Sequence, residues 1–266
     1  MKKFIFQKLL VPFFNKLPAT LLSNQTLKIR LGNKFYKFRI NEMGNMLVNN
    51  EFENFNLLKL KSFDDYVPKV ELKKIKGFNY LKMESLNSFE CNNICLRSIY
   101  EHFNLKAEVK EVNQHIIPQL LAKFELQEIK LLLEKISKLE LTKNIGLIHG
   151  DFHSGNVMKN NCGEIKLIDM DLSQPNWDRH FDLINIFVSD QILKFGLTWN
   201  EAFKLSWKNH GKLEAVEIKW PDLAEIEKKC AFYFYYLTRL LNECEIVDTA
   251  QHEKMVQFLE MESLLK

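Results

Sequence analysis

The sequence predicts an α+β protein with a small mixed lobe followed by a larger, mainly helical lobe. Residues 27–84 spell strand, strand, helix, strand and strand, because alternating apolar positions and short turns are interrupted once by helical spacing. From Asn87 onward apolar residues recur mostly at helical spacing, and they do so again from Phe181 to the end. The intervening segment 146–172 is rich in β-forming and loop-forming residues. Together these observations favour two lobes of different secondary structure.

The small lobe is predicted to contain two hairpins and one helix. In the first hairpin Phe38 and Ile40 alternate with basic residues, as in a strand with one buried face. The helix is predicted over 51–61, where apolar residues recur three apart. The predicted strands are 27–31, 34–40, 70–75 and 78–83, with turns at Gly32-Asn33 and Lys76-Gly77. The predicted helices of the larger lobe that precede the β-rich segment are 92–103, 112–123 and 124–140.

Composition and length limit the class of protein. A chain of 266 residues with 46% apolar and 27% charged residues is ordinary for a globular protein and long enough for two cores. The predicted division is an N-terminal amphipathic segment (1–26), a first lobe (27–86) and a second lobe (87–266). No apolar run approaches the roughly 20 residues that a membrane-spanning helix needs. A net charge of only +3 gives no case for nucleic-acid binding. The five cysteines are scattered and odd in number, which does not suggest a disulfide framework, so we expect a cytoplasmic protein.

Basic residues are concentrated at the start of the chain. Residues 1–41 contain nine lysines and arginines and no acidic residue. Within 2–20 the lysines alternate with large apolar residues, a pattern that favours contact with an anionic membrane surface. Peripheral contact of residues 2–20 with the inner face of a membrane is therefore one hypothesis. The alternative is that the same apolar residues pack on the first lobe.

Three polar residues of the β-rich segment form the informative constellation. Asp151 follows a short apolar strand, Asn156 comes five residues later, and Asp169 ends the next predicted strand. Amide and carboxylate oxygens are ligands that suit Mg²⁺, so Asn156 and Asp169 are the candidate metal ligands. Asp151 is then free to accept a proton from an attacking hydroxyl. This division of labour is the one used in phosphoryl transfer by kinases.

These residues resemble the catalytic segment of a known superfamily. His149-Gly150-Asp151 with Asn156, followed by Ile168-Asp169-Met170-Asp171, is similar to the aminoglycoside phosphotransferase and choline kinase superfamily. The resemblance continues over 176–187, where choline and ethanolamine kinases carry a similar pattern of Asn, aromatic, Arg and Phe-Asp. Choline kinases typically have Asn where Gly150 stands, whereas glycine is the aminoglycoside-kinase form. The resemblance implies a bilobal, protein-kinase-like fold that binds ATP and Mg²⁺.

The resemblance also implies which residues of the first lobe would bind the nucleotide. The strand cation that holds ATP phosphates would be Arg39, with Lys37 as the alternative on the same face. Its helix partner would be Glu51, with Glu53 as the alternative. The hinge beside the adenine would be formed by Met83, Glu84 and Leu86. No glycine-rich loop of the G-x-G-x-x-G kind precedes Lys34.

Three further residues would support the catalytic loop or the metal. His149 and Asp182 are expected to brace the loop that carries Asp151. Asp171 would either assist the metal or remain a solvated carboxylate. Phe232-Tyr233-Phe234-Tyr235-Tyr236 is expected to lie in the core, and the alternative is an aromatic acceptor pocket for a cation.

The resemblance implies an ATP-dependent kinase that phosphorylates an alcohol hydroxyl of a small molecule. Residues 176–187 favour choline or ethanolamine as the acceptor. A sugar of the cell envelope, from lipopolysaccharide or capsule, comes second, and an aminoglycoside third. The rival hypothesis is a nucleotide-binding pseudokinase or regulator, which the missing glycine-rich loop favours.

Overall fold

The computed structural model describes residues 20–22, 26–39, 42–75, 78–104, 106–122, 127–139, 141–209 and 224–244. The described residues form two compact units, one within 1–91 plus 154–173 and the other within 92–153 plus 174–266. The hypothesis of membrane contact through residues 2–20 concerns a segment that, apart from Thr20, lies outside the described residues. Among the residues described, no helix is long and apolar enough to cross a membrane.

The first unit is built on a five-stranded antiparallel sheet with the strand order β1-β2-β3-β5-β4. Its strands are β1 (Thr20–Leu22), β2 (Thr26–Leu31), β3 (Lys34–Arg39), β4 (Val70–Ile75) and β5 (Phe78–Glu84). Gly32 has a φ of +55° at the first position of the two-residue turn between β2 and β3, where such hairpins favour glycine. This turn pairs Leu31 with Lys34 and thereby fixes the register of the whole hairpin.

One long helix, α1 (Glu42–Leu60), packs against β3 and β5 of this sheet. Val48, Phe55 and Leu58 are fully buried on one face at helical spacing. The helix begins nine residues before the predicted start at Glu51, because the apolar face extends back through Val48. Glu51 therefore lies in the middle of the helix, on its buried face.

A second, three-stranded sheet completes the first unit, with the order β10-β9-β6. Its strands are β6 (Leu86–Asn87), β9 (Val157–Asn160) and β10 (Ile165–Leu167). Because β6 pairs with β9, residues 154–173 belong to the first unit although they follow 62 residues of the second. The predicted division of the chain had assigned this segment to the second lobe.

The second unit contains a three-stranded antiparallel sheet and the remaining described helices. Its strands are β7 (Glu108–Glu111), β8 (Thr142–Ile148) and β11 (Gln174–Asp178), in the order β11-β8-β7. Its helices are α2 (Asn93–Asn104), α3 (Val112–Leu121), α4 (Gln127–Ser137), α5 (His180–Phe195), α6 (Trp199–Lys208) and α7 (Glu225–Cys244). α5 packs against both α6 and α7. The α+β class predicted from the sequence is confirmed.

Candidate active site

A buried ion pair joins the sheet of the first unit to its long helix. The ammonium of Lys37 on β3 donates a hydrogen bond to Oε2 of Glu51 on α1 at 2.7 Å. Both side chains are almost completely buried, with 2% and 0% of their surface exposed. A buried charge is stable only when it is paired, so each residue depends on the other.

Asp169 and Asp171 extend this pair into a cluster of three carboxylates. Lys37 Nζ lies 3.0 Å from Asp169 Oδ1 and 3.4 Å from Asp171 Oδ2. A second ammonium, that of Lys28 on β2, lies 2.5 Å from the other oxygen of Asp169. Asp169 is thus held between two lysines, one on each of two neighbouring strands.

Backbone conformation and side-chain contacts fix the segment that carries Asp169. Asp169 has a left-handed backbone with φ 55°, which few non-glycine residues adopt. The amide group of Asn54, one turn after Glu51 on α1, donates to the carbonyl of Met170 at 2.6 Å. Strain of this kind persists only where the surroundings impose it, and it is concentrated at functional sites.

The charges of the cluster shift the pKa values of its members. Burial acts to lower the pKa of Lys37, but the three carboxylates outweigh burial and hold it well above its ordinary value. Burial raises the pKa of Glu51 to about 7, although Lys37 opposes the shift. Burial also acts to raise the pKa of Asp169, but the charges of Lys37 and Lys28 hold it well below its usual range. At neutral pH Asp169 is therefore a carboxylate.

Replacing Lys37 with methionine is expected to destabilise the protein by about 3–5 kcal/mol, because it leaves Glu51 buried without its counter-charge. The folded-state pKa of Glu51, already above its ordinary 4.5, rises further in this variant. A raised folded-state pKa favours the protonated folded form, so the loss of stability is smaller at pH 5 than at pH 8. Urea unfolding of both proteins at the two pH values measures this difference.

The double variant Lys37→Met with Glu51→Gln is the control for that measurement. It removes the buried charge together with its partner, so we expect it to recover part of the lost stability and to lose the pH dependence. Equal destabilisation of Lys37→Met at pH 5 and pH 8 would contradict the assignment of the effect to Glu51.

A cavity of about 320 Å³ adjoins this cluster within the first unit. Apolar and aromatic side chains line it together with polar groups of both charges. The lining residues are Lys28, Phe35, Tyr36, Lys37, Met83, Leu86, Gly155, Asn156, Met158, Ile168 and Asp169. Its volume is at the lower end of the range for small-molecule pockets, and the mixed lining suits a ligand with a flat apolar part and an anionic part.

The structure places the predicted nucleotide-binding residues as follows. Met83 and Leu86 line the cavity. The Glu84 amide donates to the Lys69 carbonyl, and its carboxylate accepts from the Lys69 amide, each at 2.9 Å. The guanidinium of Arg39 lies 4.3 Å from the centre of the Phe78 ring, so it is Lys37, the predicted alternative, that pairs with Glu51. Lys37 is deeply buried in the middle of β3, whereas Arg39 ends the strand half-exposed.

The predicted metal ligands lie in the same cavity. Asn156 and Asp169 both line it, and the Ile168 amide donates to the Asn156 carbonyl at 3.1 Å. Within the described ranges, no three His, Cys, Asp or Glu side chains are grouped to hold a metal. An amide oxygen and one or two carboxylates are nevertheless the protein share of a Mg²⁺ site that is completed by water and phosphate. The residues therefore fit Mg²⁺ bound together with a nucleotide.

In the second unit, a buried carboxylate holds the loop that follows β8. Asp182, on the first turn of α5, accepts hydrogen bonds from the backbone amides of His149 at 2.9 Å and Gly150 at 3.1 Å. Arg179 donates to Asp182 at 2.8 Å and also to the carbonyl of Leu147. His149 accepts from the Asp151 amide at 3.3 Å. The loop is thus anchored on both sides of Gly150.

The carboxylate of Asp151 is one-third exposed and is contacted by hydrogen-bond donors. Asn185 of α5 lies 3.4 Å from Oδ1 and also donates to the Phe152 carbonyl at 3.2 Å. The Tyr235 hydroxyl donates to the amide oxygen of Asn185 at 2.9 Å, which fixes the orientation of that amide. Arg239 Nη1 lies 3.4 Å from Oδ1, and His153 Nε2 lies 3.6 Å from Oδ2.

These contacts keep Asp151 ionised. Burial acts to raise the pKa of Asp151, but the close contact with His153 and the charge of Arg239 hold it well below its ordinary 3.8. Asp151 can therefore orient a hydroxyl group at neutral pH, because a carboxylate accepts hydrogen bonds through both oxygens.

The same fold occurs in solved kinase structures. The GDP complex of aminoglycoside 2'-phosphotransferase-IIIa is similar over 98% of each chain, with a TM-score of 0.54 and 12% sequence identity. The chain has this kinase-like fold. A candidate fructosamine-3-kinase from Haemophilus somnus 129PT is similar over 93% of this chain and 90% of that chain, with a TM-score of 0.52 and 13% identity. The choline kinase LicA from Streptococcus pneumoniae is similar over 98% of each chain, with a TM-score of 0.49 and 17% identity.

No family model and no curated protein sequence matches the chain. The solved structures nevertheless confirm, at the level of the fold, the kinase-like resemblance predicted from the sequence.

Sequence reasoning missed Lys28, although a signal for it was present. The Gly32-Asn33 turn sets a register in which Lys28 lies directly opposite Lys37. Like charges at opposed positions of an antiparallel pair are unfavourable unless an anion lies between them. Two opposed lysines on neighbouring strands therefore indicate an anion site, and Asp169 is the anion in this structure.

Proposed function

We propose that the chain is an ATP-dependent kinase that transfers the γ-phosphoryl group to a hydroxyl of a small molecule. The observation that carries the proposal is the cluster of Glu51, Lys37 and Asp169 beside a cavity that Asn156 also lines. In this proposal the apolar lining, including Met83 and Leu86, receives the adenine. Lys37 and Lys28 hold the phosphates.

Asn156 and Asp169 would hold Mg²⁺ on the nucleotide, where the ion neutralises charge on the phosphate oxygens. Asp151 would orient the acceptor hydroxyl and take its proton. The acceptor oxygen forms a bond to the γ-phosphorus while the bond to the departing ADP oxygen breaks. Because the transition state is loose, positioning and charge neutralisation supply most of the rate enhancement.

Asp151 and Glu51 are expected to contribute differently to the pH dependence of turnover. A pKa held well below 3.8 keeps Asp151 ionised as the pH falls, so it adds no loss of activity between pH 8 and pH 5. Glu51, with a pKa of about 7, is protonated as the pH falls through that range and then binds Lys37 less strongly. We expect any decline of kcat near pH 7 to be absent in Glu51→Gln. A decline in that range that persists in Glu51→Gln would contradict this assignment.

The stretch that resembles choline kinases has a structural role that does not depend on the acceptor. Within 176–187, the stretch that favours choline, Arg179, Asp182 and Asn185 contact the loop of Asp151. These three residues support the loop of Asp151, a role that any acceptor would require. Choline, ethanolamine and sugars of the cell envelope all remain proposed acceptors, and contact of residues 2–20 with a membrane remains a prediction.

Measuring ATP turnover with Mg²⁺ over a panel of alcohols and sugars tests the proposal. One observation favours the second candidate, a nucleotide-binding regulator without turnover. Lys28 is bonded to the carboxylate that would bind the metal. Tight nucleotide binding with no phosphorylation of any acceptor would favour the regulator.

A further inference from the structure

A cation lies directly beside the proposed catalytic carboxylate. Arg239, on α7, places Nη1 at 3.4 Å from Oδ1 of Asp151. The guanidinium also lies over the indole ring of Trp199, 6.0 Å from its centre. Arg239 is only 14% exposed, so burial among these groups restricts its movement. The place where an acceptor hydroxyl would meet Asp151 is therefore next to a fixed positive charge.

This charge is unfavourable for a cationic acceptor. Asn185, His153 and Arg239 all present hydrogen-bond donors to Asp151, and Arg239 balances its negative charge. Because Arg239 offsets the charge of Asp151, an ammonium or quaternary ammonium group brought to the same place would gain little attraction from the carboxylate and would lie close to a guanidinium of like charge.

The aromatic residues nearby do not supply a site for such a cation either. A quaternary ammonium group is held over open aromatic faces. The Trp199 ring already has the Arg239 guanidinium over it and also stacks with Phe203 at a centroid distance of 5.3 Å. The five aromatic residues at 232–236 are all buried. The aromatic run is thus core, as expected from the sequence, and the cation position at Trp199 is taken by the protein itself.

We infer that the acceptor carries a carboxylate or phosphate beside its reacting hydroxyl and that Arg239 binds this anion. The inference rests on the proposed kinase function. A guanidinium has five N–H donors in a planar fork that matches both carboxylate and phosphate, so it can contact Asp151 and a second anion together. Arg239 would then hold the acceptor so that its hydroxyl lies at Asp151. The acceptor class is an acidic or phosphorylated sugar, and choline and ethanolamine are not included.

The test compares acceptors that differ in charge, using the full chain with ATP and Mg²⁺. The probes are glucuronate, glucose 1-phosphate, glucose and choline, with phosphoryl transfer from γ-labelled ATP as the readout. We expect a higher kcat/KM with an anionic sugar than with glucose, and the lowest value with choline. Glucuronate and glucose 1-phosphate distinguish a carboxylate from a phosphate as the recognised anion.

The variant Arg239→Gln tests the residue itself. The ratio of kcat/KM for the anionic sugar over glucose is expected to fall about 10–100-fold, mainly through KM, the range for losing a hydrogen bond to a charged group. Arg239→Lys should restore part of the ratio. The control is Arg97→Gln on α2, which removes an exposed arginine paired with Glu101 in the same unit and should leave the ratio unchanged.

Several results would overturn the inference. Preferred phosphorylation of choline by the wild-type chain would do so without any variant. An equal loss on every acceptor in Arg239→Gln would show that Arg239 acts only through Asp151. In both cases the kinase function would stand. Nucleotide binding with no phosphorylation of any probe would count against the kinase function and this inference together.

Discussion

Replacing Asp151 with asparagine is expected to lower turnover by about 10²–10⁴-fold, the range for loss of a positioned general base. Asparagine keeps the shape of the side chain and an oxygen that can accept from Asn185 and Arg239. It cannot take the proton of the acceptor hydroxyl. Asp151 does not line the cavity of the first unit, so ADP affinity should stay within about twofold of the wild-type value, well below the tenfold change that ~1.4 kcal/mol produces.

Turnover and ADP affinity must be measured on the same preparation, by steady-state kinetics and titration calorimetry. The matched control is Asp190→Asn, which removes a carboxylate that pairs with Lys194 elsewhere in the second unit. We expect wild-type turnover in this control. A variant of Asp151 that turns over as fast as the wild-type chain would remove the residue from its proposed role.

Replacing Asp169 with alanine is expected to abolish the gain in ATP affinity that Mg²⁺ provides, because the ion loses its carboxylate ligand. The same substitution should not weaken the binding of ATP in the absence of Mg²⁺. Lys28 and Lys37 both form ion pairs with Asp169. Without that carboxylate, the positive charges of the two ammonium groups are less neutralised and can attract the phosphates more strongly. We therefore expect ATP to bind in EDTA at least as tightly as it binds the wild-type chain.

Titration calorimetry with ATP in Mg²⁺ and in EDTA gives both quantities. Asp171→Asn is the matched control, since Asp171 also lies near Lys37, at 3.4 Å, but is not among the residues that line the cavity. If Mg²⁺ raises the ATP affinity of Asp171→Asn as much as that of the wild-type chain, Asp171 contacts Lys37 but is not a metal ligand. An unchanged Mg²⁺ effect in Asp169→Ala would reject Asp169 as the metal ligand.

The sequence predicted the strands of the first hairpin, the β-rich insertion and the loop of Asp151 because each follows from local spacing. It placed the start of α1 too late, since Gly44, Asn45, Asn49 and Asn50 are poor helix formers among the apolar residues of its first turns. It gave Lys37 and Arg39 as alternatives because both lie on one face of β3. The packing of α1 brings Glu51 to Lys37, and only this contact shows that Lys37 rather than Arg39 is the partner of Glu51.

The contact between Arg239 and Asp151 could not have been predicted in the same way. These residues are 88 positions apart, and no periodicity links a helix late in the chain to a loop in its middle. From the sequence alone, a single arginine on an aromatic helix is indistinguishable from an exposed surface charge. The partners of Arg239 and of the buried Glu51 are determined by tertiary packing.

In the hairpin of β2 and β3, the number of residues between Lys28 and Lys37 decides whether both lysines face Asp169. Lys28 and Lys37 meet because nine residues of separation and a two-residue turn place them opposite each other. Adding a single residue between Lys28 and the turn would shift Lys28 by one position in the pairing, and its side chain would change faces. Lys28 would then point away from Asp169 although neither lysine had been replaced. The proposed phosphate-binding role of this chain thus depends on a spacing as well as on two lysines, and a search of relatives for the lysines alone would overlook it.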